Sequence, residues 1–360
     1  MHRPRALALL LAALTLPVLG AVAATDAPAP AHAPILPDEQ NAIAVNDAAS
    51  PSVVQIQATW TQPVGKQIAG MEKIFGKEGM KVPPHLSVGA GVVWDVAGHV
   101  VTSQQVGGEA GTTFKVTLAD GSRRAATLLG ADATLGISVL KLDGPTDGLH
   151  PIVVGASRGL RVGQRLYVIG NAYGSGPLFS TGMLGALERT VSGMGRRSLV
   201  LNVAANPGDA GGAVLDTSGR LVGLIRGIYS GNGSVGFALV QPCDDFASAI
   251  PRLIAGEHIE HAVLGISVED ARSEDLPDGL PPGVAVIKPD TGGAGEHAGL
   301  LARDGDAVDV ITAIDGVAIR SFPDLAAVLD RHRPGDACDL TVWRAGKSRT
   351  LRIALGNDQR

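Results

Sequence analysis

Residues 52–238 are a series of short apolar runs separated by glycine-rich turns, with almost no helical period among them. Ser52-Val53-Val54-Gln55-Ile56, Gly89-Ala90-Gly91-Val92-Val93-Trp94, His99-Val100-Val101-Thr102 and Phe114-Lys115-Val116-Thr117-Leu118 open the series, and residues 137–142 continue it. Asp120-Gly121 separates the fourth run from a partner over residues 125–129. An Asp-Gly pair takes the left-handed turn that joins two antiparallel strands. A second set follows, with Leu166-Tyr167-Val168-Ile169-Gly170, Leu199-Val200-Leu201-Asn202-Val203 and Leu221-Val222-Gly223-Leu224-Ile225. Regularly spaced short strands of this kind build barrels or sandwiches. The 48 glycines suit the many tight turns required. Residues 60–86 lack clear strands, carry Met71, Ile74, Phe75 and Met80, and read as a long loop; long loops are often functional.

The flanks differ. A basic start, an apolar run over residues 6–20 and Ala21-Val22-Ala23-Ala24 read as a secretory signal peptide over residues 1–24. The run is shorter than the ~20 residues a spanning helix needs. The expected address is therefore periplasmic or secreted, after signal removal. Residues 25–46, rich in Ala, Pro and Asp, read as a flexible spacer. A helix is predicted over residues 243–255, with Phe246, Ile250, Leu253 and Ile254 at helical spacing and Gly256 as its stop. Beyond it come strand-like runs, a helix over residues 322–332 opened by Ser321, and two closing strands around Ala345-Gly346. The boundaries are thus 47–256 for the larger domain and 257–360 for the smaller. Net charge is −5 with no basic block, which argues against a nucleic-acid partner. Cys243 and Cys338, the only cysteines, read as buried small hydrophobes. No cofactor motif or zinc cysteine pair is present, so no cofactor and no metal are expected. Glu257-His258-Ile259-Glu260-His261 has the wrong spacing for a zinc protease motif and reads as solvated linker.

Asn206-Pro207-Gly208-Asp209-Ala210-Gly211-Gly212-Ala213-Val214 matches the turn that exposes the nucleophilic serine in trypsin-like enzymes, with Ala210 at the serine position. Taken alone, an ordinary glycine-rich hairpin competes with that reading. Ordered fragments decide: Gly89-Ala90-Gly91-Val92-Val93, Val116-Thr117-Leu118-Ala119-Asp120-Gly121, Val139-Leu140-Lys141-Leu142, Ile169-Gly170-Asn171-Ala172-Tyr173-Gly174 and Ser234-Val235-Gly236-Phe237-Ala238-Leu239. In that order they resemble the HtrA (Deg) family, exported trypsin-like proteases with a C-terminal PDZ domain. The resemblance implies a mainly β chain, a chymotrypsin-like double β-barrel followed by an α+β PDZ domain.

The departures fall on the triad. Thr102-Ser103-Gln104-Gln105-Val106 places Gln105 where the family has histidine, and Gly136 replaces the aspartate before the Val-Leu-Lys strand. Asp132 lies four residues too early and reads as a turn residue. A methyl group cannot attack a carbonyl, and an amide cannot act as general base. The expectation is a pseudoprotease and not an enzyme, binding polypeptide as adaptor, chaperone or regulator; the alternative is a HtrA-type serine endopeptidase of periplasmic quality control. The expected binding groups are the oxyanion-hole N–H groups of Gly208 and Ala210 and a pocket loop over residues 229–237. In the PDZ domain they are the carboxylate loop Val263-Leu264-Gly265-Ile266 and helix residues Leu325, Val328 and Leu329. Expected partners are unfolded polypeptides or protein C-termini, with a homo-oligomer (trimer) or a hetero-assembly with active relatives.

Overall fold

The computed structural model describes residues 34–60, 85–107, 111–189, 198–229, 237–271, 276–277 and 279–358. The signal-peptide reading, most of the 60–86 loop and most of the 229–237 pocket loop lie outside the described residues.

The chain enters through α1 (Pro37–Ala49), which corrects the reading of residues 25–46 as flexible spacer throughout. Pro37 sits in the first turn, with Asp38 and Glu39 beside it, where acidic side chains favour the helix dipole. Val45 and Ala49 are buried, Asn41 Nδ2 donates to the Thr217 carbonyl at 2.9 Å, and Tyr167 Oη donates to Asn41 Oδ1 at 2.9 Å. The helix docks through small residues, so its apolar face was too faint to read as a period.

Two closed barrels follow. The first is made of β1 (Val53–Trp60), β2 (His85–Val93), β3 (His99–Ser103), β4 (Thr113–Thr117), β5 (Arg123–Asp132) and β6 (Ile137–Leu142), joined in the order β1-β2-β3-β6-β5-β4. The second has β7 (Arg165–Gly170), β8 (Leu178–Arg189), β9 (Ser198–Asn202), β10 (Ala213–Leu215), β11 (Leu221–Tyr229) and β12 (Phe237–Pro242), in the order β10-β11-β12-β9-β8-β7. Successive strand residues point to opposite faces, and here both faces are apolar. Val100 and Leu140 fill the first barrel, Val168 and Val222 fill the second, while their neighbours Val101, Val139, Ile169 and Leu221 share a separate core. That shared core is the seam along which the barrels pack. α2 (Cys243–Phe246) and α3 (Ile250–Ile254) cover it with Phe246, Ile250 and Leu253; the predicted helix over residues 243–255 is thus broken by one 3-10 turn.

The C-terminal domain holds β13 (Ala262–Val263), β14 (Ile266–Asp270), β15 (Val284–Pro289), α4 (Ala294–His297), β16 (Asp309–Ile314), β17 (Val317–Ala318), α5 (Phe322–Leu329), β18 (Ala337–Arg344), β19 (Lys347–Ala354) and β20 (Gly356–Asn357). Its main sheet runs β14-β15-β16-β18-β19, which leaves β14 on an edge.

Candidate functional site

Ala210 lies at the meeting of the barrels. Its carbonyl accepts the Ala90 N–H of β2 at 2.8 Å, and its methyl packs on the first barrel's core. Opposite it, the Gln104 N–H donates to the Gly136 carbonyl at 3.0 Å. Ser103 Oγ accepts from the Gln105 N–H at 3.4 Å and donates to the Arg226 carbonyl at 3.3 Å. The Gln105 segment, the Gly136 turn and β11 are thereby laced together. Gly89 joins them to Ala210: a Cβ there would lie 2.4 Å from Val106 Cγ2 and 3.0 Å from the Ala210 carbonyl oxygen. Gln105 is exposed and Gly136 is buried. Gly136 holds φ +70°, and a Cβ there would lie 3.3 Å from Arg226 Nε. Ser103 Oγ is committed to these bonds, and Ser138 is buried in the barrel wall, so neither stands in for Ala210.

The backbone of the Ala210 turn is differentiated. The N–H groups of Asp209, Gly211 and Gly212 donate to the carbonyls of Asn206, Ile225 and Asp209. Those of Gly208 and Ala210 meet no acceptor among the described residues. The Pro207 carbonyl accepts the Tyr173 N–H at 2.6 Å; a trans peptide aims its carbonyl and the next N–H in opposite directions, so the Gly208 N–H points away from Tyr173. Two such donors thus lie two residues apart on one turn. Asp209 between them is buried, which pushes its carboxyl up, while backbone bonds from Asn206 and Asn171 pull it down.

A second concavity lies in the C-terminal domain, a groove of about 590 Å³ lined by Val263, Leu264, Gly265, Ile266, Leu325 and Leu329, together with Phe322. Val328, also expected there, is instead buried in the domain core. Phe322 was legible as a site residue, being one helical turn before Leu325 and two before Leu329. The Leu264 carbonyl accepts the Gly295 N–H at 2.7 Å, and the Gly265 carbonyl accepts the Asp290 N–H at 2.9 Å. Both carbonyls being turned into the fold, the following N–H groups of Gly265 and Ile266 are aimed the other way. Gly265 adopts φ +62°, which a side chain would strain.

The reading of residues 257–261 as solvated linker is corrected at His261. Its Nε2 lies 2.8 Å from Asp132 Oδ2, its backbone N–H donates to Asp358 Oδ1 at 3.1 Å, and Asp132 is 6% exposed. Asp132 Oδ1 accepts the Leu135 N–H at 2.7 Å, so Asp132 is a turn residue that also holds the linker. Its partner is 129 residues away, beyond any local signal.

Residues 89–224 match the trypsin-like peptidase domain family and residues 262–355 the PDZ domain family. The chain is 31% identical to "Protease Do-like 1, chloroplastic" of Arabidopsis thaliana, over 88% of this chain and 72% of that protein. It is 30% identical to "Probable periplasmic serine endoprotease DegP-like" of Brucella suis, over 79% of this chain and 56% of the relative, little more than half its length. The solved structure "HtrA-type protease AlgW with decapeptide" superposes with a TM-score of 0.67 at 26% identity, covering 89% of this chain and 99% of that one. These relatives correct the expectation that the chain is no enzyme. All three are named proteases, nothing in them marks an inactive branch, and they point to an enzyme of their family. That expectation weighed three side chains alone, whereas the likeness runs over both domains.

Proposed function

From the premise that this chain belongs to the HtrA family of trypsin-like proteases with a PDZ domain, we propose that it acts on exported polypeptides in the serine-endoprotease class of its relatives, within periplasmic protein quality control. The PDZ groove takes the polypeptide's C-terminus, and the cleft between the barrels takes an extended segment as an added strand. Self-assembly into an oligomer belongs to the same proposal.

The observation that carries it is the pair of N–H groups, of Gly265 and Ile266, turned into an apolar groove by the inward carbonyls of Leu264 and Gly265. A terminal carboxylate fits those donors, an apolar last residue fits Leu325 and Leu329, and the edge of β14 pairs with the peptide backbone.

Hydrolysis in this cleft draws on binding and on the N–H groups of Gly208 and Ala210. We assign Gln105, Gly136 and Ala210 to the three triad positions, where none supplies a nucleophile or base. In trypsin-like and subtilisin-like enzymes stripped of a triad member, the oxyanion hole and binding alone sustain about 10³–10⁴-fold acceleration over water. The same order is expected here, with water as the attacking group.

Two measurements on the full chain test the proposal. An apolar-ended peptide should bind roughly tenfold or more tightly as its free acid than as its amide, since hydrogen bonds to a charged group contribute about 1.5–3 kcal/mol; equal affinity overturns the groove assignment. Slow cleavage of an unfolded protein should persist after treatment with a serine-directed phosphonate, and a covalent adduct would overturn the assignment of Ala210.

A further inference from the structure

Asp315 opens the turn between β16 and β17, His332 follows α5, and Cys338 lies in β18. One ligand atom from each, a carboxylate oxygen, an imidazole nitrogen and the thiol sulfur, all lie within 4.8 Å of one another. The His332 ring is fixed from behind. Its Nδ1 is 2.9 Å from the Val328 carbonyl, and a carbonyl only accepts, so Nδ1 carries the hydrogen and Nε2 of the neutral ring presents a lone pair. That lone pair faces Asp315 Oδ2 at 3.2 Å. Protonation of Nε2 makes this contact an ion pair, and a metal cation can take that proton's place between the two atoms.

We propose that Asp315, His332 and Cys338 form a Zn²⁺ site with its fourth position open to solvent. Bonds of about 2.0–2.1 Å to nitrogen and oxygen at a tetrahedral angle put those atoms roughly 3.3 Å apart, close to the 3.2 Å observed. Imidazole, carboxylate and thiolate are a donor set that Zn²⁺ accepts. The Val328 carbonyl behind Nδ1 is the kind of outer partner that orients a metal-binding histidine. Asp315 is held too, since its Oδ1 accepts the Asp339 N–H at 2.7 Å. Asp336 adds negative charge beside the thiol, and Arg352, tied to Asp339 at 2.7 Å, opposes it.

Without metal the buried Cys338 thiol carries its proton. Binding exchanges that proton for the metal: the S–H bond breaks, the proton passes to solvent, and a sulfur–zinc bond forms. Asp315 is exposed, which leaves the site open to solvent on that side. The site would clamp the end of α5, whose Leu325 and Leu329 line the peptide groove, to β18.

The test uses the untagged full chain under reducing conditions, titrated with Zn²⁺ against a chromophoric chelator and with Co²⁺ anaerobically. One Zn²⁺ should bind per chain, with affinity falling roughly tenfold or more in His332→Ala and in Asp315→Asn. The cobalt form should show a sulfur-to-cobalt charge-transfer band that Cys338→Ser removes. The double variant His258→Ala/His261→Ala should bind as the wild type does. Absence of stoichiometric binding, affinity unchanged in His332→Ala, or a cobalt spectrum without the sulfur band overturns the site. The wild-type spectrum and the surface variant His332→Ala decide the matter should Cys338→Ser fail to fold.

Discussion

Gly136 holds φ +70° next to Arg226 Nε. A side chain at such a backbone costs about 1–2 kcal/mol, and one added here also presses on the guanidinium. Gly136→Ala is therefore expected to destabilise the chain by at least that amount, read as a lower urea midpoint with an unchanged slope; an equal or higher midpoint would mean that the turn relaxes freely. A side chain here thus meets a backbone shaped for glycine. Gln105, Gly136 and Ala210 were singled out from short motifs, each in its own sequence context. The position of Arg226 was not, because β11 reaches the Gly136 turn only when the second barrel closes on the first. Likewise the loop from Val263 to Ile266 stood out in the sequence, but the inward turn of its carbonyls depends on Asp290 and Gly295 from another part of the domain.

At the scale of elements, hairpins were the most readable feature. Asp120-Gly121 and Ala345-Gly346 encode their turns locally, and the structure pairs Thr117 with Arg123 and Arg344 with Lys347 across them. α1 escaped notice because it buries only Val45 and Ala49, with no apolar stripe to betray it. The helix predicted over residues 322–332 stops at Leu329. The stretch 301–309 is tied down at Asp309, where β16 begins. Asp309 is 1% exposed and takes both Nε and Nη2 of Arg344 at 2.6 Å, while Oδ2 also accepts the Leu301 N–H at 2.9 Å. Removing one partner of such a buried pair strands the other charge, at a cost of about 3–5 kcal/mol. Arg344→Ala should lose stability on that scale in chemical denaturation, and Arg344→Lys should recover only part of it, since an ammonium cannot make the two-pronged contact. A loss below about 1 kcal/mol would show that water replaces the guanidinium.

Across the whole molecule, the Asp132–His261 bond joins the first barrel to the segment leading into the PDZ domain. Asp132→Asn and His261→Ala should each lower stability by about 1.5–3 kcal/mol, the range for a hydrogen bond involving a charged group. The double variant should cost little more than the worse single one, as residues in direct contact do not add. Full additivity in that cycle would mean that the two side chains act separately. The attachments of α1 set the order in which the chain can be completed. Asn41 finds its partners Tyr167 and Thr217 only 126 and 176 residues further along. At a synthesis rate of about 5–20 residues per second, the second of them emerges on the order of ten seconds or more after the helix. This helix is thus fastened by residues of the second barrel that are made long after it.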